Sequence, residues 1–297
     1  MSLKNLSCPS NDGTLRELLL NLPHGKSLEL GSPIPIMGIV NVTPDSFSDG
    51  GVYTETAAAV EHGASLAAQG AAILDIGGES TRPGAVAVTP DEELSRVIPV
   101  IAGLRRKVAT PISVDTMKAR IAAAAIEAGA SIVNDVWGLQ YDREMARVVA
   151  DTGAAAVLMH NRATIDPELD IVADILAFLS RSIEIALAAG VERRKLLIDP
   201  GFGFGKTKAQ NLEAVRRLRE LTVLGCPILL GVSRKSTFGA VTGQKIPAER
   251  VVASIAAGIV GVTNGAAVLR VHDVAAHVEA MQVLNAIGLE PPASRES

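Results

Sequence analysis

The sequence predicts a single-domain α/β protein folded as a (β/α)8 TIM barrel, and three observations carry that prediction. Eight short apolar runs alternate with eight longer segments of helical period. The runs are apolar almost throughout, as strands covered on both faces must be. Each run also hands over to a polar or charged residue at or just beyond its end. Strict alternation implies parallel pairing through right-handed crossovers, and eight units are the number that closes into a barrel. A doubly wound open sheet would instead be favoured by a glycine fingerprint after the first strand. Here the first turn reads NVTPDS and has no such glycines.

In chain order the strands are expected at 34–40, 71–76, 111–115, 131–135, 155–159, 195–199, 227–232 and 266–270. The helices follow at 54–69, 91–107, 117–129, 142–153, 170–189, 208–224, 247–264 and 273–287. Residues 1–30 form an extension, in which TLRELLLNL (14–22) is a short helix or strand covering the lower mouth of the barrel. The barrel itself occupies 31–288, and 289–297 is a tail.

Composition narrows the function. The 297 residues are 48% hydrophobic but only 3% aromatic, so small and branched aliphatic side chains supply the core, which suits helices packed closely on strands. A net charge of -4 with no long block of one sign gives no nucleic-acid surface. Cys8 and Cys226 have no CxxC or histidine partner at metal spacing, which excludes a disulfide framework and a zinc site and implies a reducing cytoplasmic setting. No run approaches the roughly 20 apolar residues of a membrane span, and no cleavable leader is evident, so no membrane partner is expected.

In such a barrel the C-terminal strand ends converge on one face, where active sites are built. In order they carry Asn41, Asp75, Asp115, Asn134 with Asp135, His160, Asp199, Ser233-Arg234-Lys235, and Arg270 with His272. Any single Asp or Asn there also serves as a helix N-cap or turn former. Capping does not account for the SRK and RVH triplets. Arg270 and His272, two apart, face the same side, and an arginine fork suits a phosphate. The competing reading pairs Arg270 with a neighbouring aspartate and has His272 cap the last helix. Asp115, Asn134 and Asp199 come without a histidine cluster or a Ser–His pair, and they suit a ring edge bearing N–H and NH2 donors. Lys235 would complement a carbonyl on the same pterin- or guanine-like ring.

DPGFGFGKT (199–207) invites comparison with a phosphate-binding loop, but the GxxxxGK[ST] spacing is not met. Its glycines more plainly let the backbone turn after Asp199 and set Phe204 beside a ligand. Two long polar loops, 41–53 and 77–85, contain groups able to hold phosphate or Mg²⁺ and suit lids.

Seven motifs in this order, GIVNVTPDSFSDGG, LDIGGESTRPGA, SVDT, NDV, IDPGFGFGKT, GVSRKS and RVHDV, resemble those of the dihydropteroate synthases over about residues 38–273. The resemblance implies condensation of 6-hydroxymethyl-7,8-dihydropterin pyrophosphate with p-aminobenzoate to give 7,8-dihydropteroate and pyrophosphate in folate biosynthesis. It also implies a sulfonamide target and a homodimer joined through the last helices around 253–261, although the Ala/Gly face there equally suits barrel packing. Carried over by motif, Asp115, Asn134, Asp199 and Lys235 hold the pterin, and Asn41 ligates the Mg²⁺ cofactor. Arg270 and His272 bind the pyrophosphate. Thr81 contacts substrate, Arg82 and Pro83 close on the reactants, and Phe47, Pro83 and Ser236 line the p-aminobenzoate slot. Asp49 faces the developing cation, and Gly50 and Gly51 are a hinge for the first loop.

The chain departs from the family pattern at Asn161 and Arg162 after the fifth strand, and at Gln210, where many members have histidine. Two other functions share the fold. A pterin-dependent methyltransferase would lack the TPDSFSDGG and STRPGA loops and need a corrinoid partner. A non-catalytic pterin-binding paralogue would not be expected to keep Asn41, Arg82, Lys235, Arg270 and His272.

Overall fold

Eight strands close a parallel barrel in the computed structural model, which describes residues 18–43, 51–80 and 88–288. A hairpin precedes it, β1 (Leu18–Leu22) and β2 (Lys26–Leu30). The barrel strands are β3 (Ile36–Asn41), β4 (Ile73–Gly77), β5 (Ile112–Asp115), β6 (Ile132–Asp135), β7 (Ala155–Met159), β8 (Leu196–Asp199), β9 (Ile228–Leu230) and β10 (Ala266–Val271). They pair in chain order, and β10 closes on β3. Each begins and ends within two residues of the expected run, because a buried strand is bounded sharply by the first polar residues on either side.

Alternation along the strands splits the core into two packed groups. One parity, which includes Val40, Leu74, Val114, Val133, Ile198 and Leu269, faces outward and packs with the helices. The other, Met37, Ile73, Ile132, Val157, Leu197, Leu229 and Val268, faces the barrel axis. At its lower end this inner group meets Leu20, Leu22, Leu28 and Leu30 of the hairpin, none more than 8% exposed. Full burial stabilises by about 1.5–3 kcal/mol per large aliphatic side chain, so the hairpin is an integral plug. It is also tied down by polar contacts, from His24 Nε2 to the Ile126 carbonyl (2.8 Å) and from Lys26 Nζ to the Ala109 carbonyl (2.7 Å). The leucine-rich segment expected as helix or strand is thus a strand over its described part, Leu18–Leu22.

The outer layer follows the expected order: α1 (Gly51–Ala68), α2 (Pro90–Lys107), α3 (Ala119–Ala128), α4 (Met145–Thr152), α5 (Ile171–Ala188), α6 (Lys208–Arg216), α7 (Ser236–Thr242), α8 (Val251–Thr263) and α9 (Val274–Ala286). Three details differ from the sequence reading. The helix expected over 208–224 stops at Arg216 and continues as a 3-10 turn over Leu218–Leu224, whose buried Leu218 and Leu221 have the three-residue spacing of that tighter helix. The one expected over 247–264 starts with a 3-10 turn, because the Arg250 guanidinium folds back onto the carbonyls of Arg234, Gln244 and Lys245. The short α7 was not anticipated. On α8 the glycines face the barrel: a Cβ at Gly261 would come within 2.2 Å of Leu230, and one at Gly258 within 3.2 Å of Leu269. These two glycines are therefore barrel packing, while Ala256 of the same stripe is exposed. No single described helix is long and apolar enough to cross a membrane.

Candidate active site

The inward parity that is apolar at the bottom of the barrel turns polar at the top. Asp75, Asp115, Asn134, Asp199 and Arg270 sit one inward position above that apolar layer or level with its continuation, and all but Asp75 line an open recess of about 330 Å³ with Phe204, Gly231 and Lys235. Asp75 lies beneath, fully buried, and its Oδ2 accepts from Arg270 Nε (2.7 Å) and Asn134 Nδ2 (3.0 Å). Arg270 Nη2 reaches Asp115 Oδ2 at 2.6 Å. Arginine and three polar partners are thereby locked into one layer before any ligand enters.

Arg270 therefore has the aspartate partners of the competing sequence reading. His272 does not have the capping role of that reading: Asp273 occupies the N-cap position of α9, and His272 Nδ1 lies 3.0 Å from Ser233 Oγ.

Electrostatics follow from burial. The Asp115 carboxyl is pushed up to about 7, since desolvation outweighs the adjacent Arg270 cation and Asp75 adds like charge. Asp199 is also raised by burial, although the Gly201 N–H donates to its Oδ1 at 2.7 Å. Burial works against the Arg270 charge, but Asp75 and Asp115 more than offset it and hold the guanidinium ionised. His272 is pushed down to about 3 by burial and by the Arg270 and Arg234 cations, so it is a neutral imidazole. Among the described residues, Asp75 Oδ1 and Asp115 Oδ1 are buried acceptors without a donor. An orphaned acceptor costs about 1–3 kcal/mol, so a ligand N–H supplied there recovers that cost.

The segment after β8 forms one wall. Gly201 (φ +67) and Gly205 (φ +58) are forced choices: a Cβ would come within 1.8 Å of the His160 carbonyl oxygen and 2.4 Å of the Arg162 carbonyl oxygen, respectively. The turn they allow carries the Phe204 ring to 4.5 Å from Lys235 Nζ, within cation–π range. Lys206 points inward onto protein acceptors, which agrees with rejecting the phosphate-loop comparison. Gln210, the second departure from the family pattern, completes a capping box at the start of α6. Its N–H donates to Thr207 Oγ1 (3.1 Å), and its Oε1 accepts from the Thr207 N–H (2.9 Å).

Asn41 ends β3, partly buried, and Ser236 is the exposed first residue of α7. Lys235 is the N-cap residue of α7. Arg234, at φ +58, is fixed by its guanidinium on Asp273 and by Ser254 Oγ on its backbone N–H. Asp135, by contrast, faces outward and caps the Trp137 and Leu139 N–H groups at 2.8 Å, the turn-forming role. Lys118 Nζ binds Glu79 Oε2 (2.8 Å), Glu93 Oε2 (2.7 Å) and the Val88 carbonyl (2.8 Å), joining the chain on either side of 81–87. Phe47, Asp49, Gly50, Thr81, Arg82 and Pro83 lie outside the described residues, and Gly51 opens α1. The sequence reading assigned no role to Asp75, Ser233 or Lys206, although the first two stand at strand ends it had marked. Among the described residues no three His, Cys, Asp or Glu gather as a metal site.

A closed parallel barrel with a polar recess at its strand ends, able to accept ring N–H donors and built around a fixed arginine, defines a class. The family model for pterin binding enzymes matches residues 37–272, and the chain belongs to that family. Within it, the chain is 43% identical over 263 residues to the dihydropteroate synthase of Clostridium beijerinckii, covering 88% of this chain and 97% of the relative. A solved dihydropteroate synthase from Xanthomonas albilineans with 4-aminobenzoic acid superposes with a TM-score of 0.88 at 48% identity, over 93% of this chain and 100% of that one. The Yersinia pestis dihydropteroate synthase in complex with a sulfonamide drug gives 0.83 at 40% identity, over 91% and 99%.

Proposed function

We propose that this chain is a dihydropteroate synthase, a transferase that joins 6-hydroxymethyl-7,8-dihydropterin pyrophosphate to p-aminobenzoate and releases pyrophosphate. Beyond the family resemblance, the observation that carries the reading is the buried, donor-less Asp115 Oδ1 at the recess that Asn134 and Asp199 also line. Such acceptors match the N–H and NH2 edge of a pterin. Asp75 takes the Asn134 amide N–H, so the Asn134 oxygen is left to accept from the ligand. Lys235 would donate to the ring carbonyl, with Phe204 along the wall.

Arg270 has five N–H donors and spends one on Asp75 and one on Asp115, which leaves Nη1 for the pyrophosphate. Neutral His272, held by Ser233, would supply a further contact. Asn41 fits Mg²⁺ as a hard oxygen donor, and since no acidic cluster accompanies it among the described residues, phosphate oxygens and water would complete the coordination. Bound there, Mg²⁺ would stabilise charge on the leaving pyrophosphate. The displacement is dissociative: the C–O bond to pyrophosphate breaks first, leaving a cation on the pterin methylene, and the amine nitrogen of p-aminobenzoate then gives its lone pair to that carbon and loses a proton. No protein nucleophile is required. Asp49 would face the cation that develops, while Phe47, Thr81, Arg82, Pro83 and Ser236 would form the arylamine site.

A sulfonamide, which resembles p-aminobenzoate, should compete for that site. Exposed Val252 and Val260 on α8, Val283 on α9 and Ile287 just after it support a homodimer through the last helices, and a cytoplasmic location fits the pathway. Supplying the pterin pyrophosphate, p-aminobenzoate and Mg²⁺ should yield dihydropteroate and pyrophosphate in equal amounts. Tight pterin binding without product would instead favour a non-catalytic paralogue.

A further inference from the structure

Lys206, the lysine of the GFGKT run, is 5% exposed behind the recess and has no part in the chemistry above. Its Nζ lies 2.8 Å from His160 Nδ1, 2.8 Å from the Gly201 carbonyl and 3.0 Å from the Phe204 carbonyl. The Asp174 carboxylate beside His160 Nε2 can only accept, so the ring proton must sit on Nε2 and Nδ1 is left to accept from Lys206. That proton meets Asp174 Oδ2 at 3.0 Å, and Arg162 Nη1 donates to both Asp174 oxygens at 2.8 Å. Burial lowers His160 to about 3, with Lys206 the next cause, so the ring stays a neutral acceptor. Burial also draws Lys206 down, while Asp199 and Asp174 favour its charged form.

The chain Arg162–Asp174–His160–Lys206 thus clamps the segment after β7 to the segment after β8. It also gives Arg162, one of the two departures from the family pattern after β7, a structural partner. At the end of this chain is the Phe204 carbonyl, on the residue whose ring faces Lys235 across the recess wall.

We propose that Lys206 is a positioning residue that acts through His160 and the Phe204 carbonyl to set where Phe204 and Lys235 meet the pterin ring. The proposal rests on the reading of the recess as the pterin site. Lys206 touches neither substrate. Its contribution is to hold one wall at a fixed height so that ring contacts form without rearrangement.

The test combines direct binding of a pterin lacking the pyrophosphate with steady-state kinetics, for the wild type, Lys206→Met, Phe204→Leu and the double variant. Lys206→Met should weaken pterin binding about tenfold or more, since misplacing a contact from a distance carries costs of that order. The KM for p-aminobenzoate should stay within about twofold, the split expected when only one substrate's contacts move. Because Lys206 acts through Phe204, the double variant should bind no more weakly than the worse single variant. Additive losses, or unchanged pterin binding in Lys206→Met, would overturn the role. Nitrogen NMR of histidine-labelled wild type gives a second check that needs no substitution: His160 should be the neutral Nε2–H form, and an Nδ1–H form contradicts the proposal. Wild-type protein that binds no pterin would overturn the pocket reading and this role together, whereas wild-type binding with an unaffected Lys206→Met overturns the role alone.

Discussion

Two ends of one barrel interior are lined by the same strands, and a step of two residues separates them. Ile73, Ile132, Leu197 and Val268 close the lower end against the hairpin leucines, while Asp75, Asn134, Asp199 and Arg270 form the upper layer. Both sets face the axis, because side chains two apart share a face. The lower layer gains hydrophobic free energy from every contact. The upper layer buries four charged groups, including Asp115, and among the described residues leaves two carboxylate oxygens without donors. Desolvation of such charges can exceed their mutual attraction, so the upper layer is maintained for binding and the lower one for stability.

Breaking the upper layer should have the largest effect. Arg270→Met leaves Asp75 and Asp115 buried without their cation, and removing one partner of a buried pair costs about 3–5 kcal/mol. Denaturant unfolding should show that loss, and turnover should fall to background. Leu28→Ala in the hairpin, 4% exposed, should cost about 2–5 kcal/mol of stability while pterin affinity stays within about twofold. A large change in affinity from Leu28→Ala would mean the two layers are mechanically coupled.

A third effect separates the layers by pH. Asp115 rises from 3.8 in the unfolded chain to about 7 in the ligand-free fold. Between these values the fold binds more protons than the unfolded chain, so this group's contribution to stability declines as pH rises through the window and is level above it. On the proposed reading pterin binding uses the ionised carboxylate, and it should strengthen over the upper part of the same window. Asp115→Asn should flatten both trends, and an unchanged pH profile would show that another group governs them. Smallest of all, Gln210→Ala removes half of a capping box and should cost about 1 kcal/mol with turnover unchanged.

Much of this contrast is legible in the sequence. Sharp polar boundaries mark each strand end, and the barrel rule then brings Asp115, Asn134, Asp199 and Arg270 to one face. What stayed hidden depends on contacts that no local pattern records. Asp75 stands at a recognised strand end, but its grip on Arg270 spans 195 positions. Lys206 follows a glycine run that looked like a ligand loop, and only the proximity of His160 turns it inward. The hairpin was ambiguous because consecutive leucines satisfy a helical and an alternating pattern equally well. The break after Arg216 follows the buried Leu218 and Leu221, and the one at Arg250 follows the tertiary partners of its guanidinium.

The central claim is that the pterin site is complete in the strand-end layer before the second substrate arrives. Isothermal titration of the ligand-free protein with a dihydropterin, then separately with p-aminobenzoate, tests this directly. The account predicts that the pterin binds alone, that Asp199→Asn abolishes its binding, and that p-aminobenzoate binds measurably only once the pterin pyrophosphate or pyrophosphate is present. Binding of p-aminobenzoate to the ligand-free protein as tightly as the pterin would contradict it.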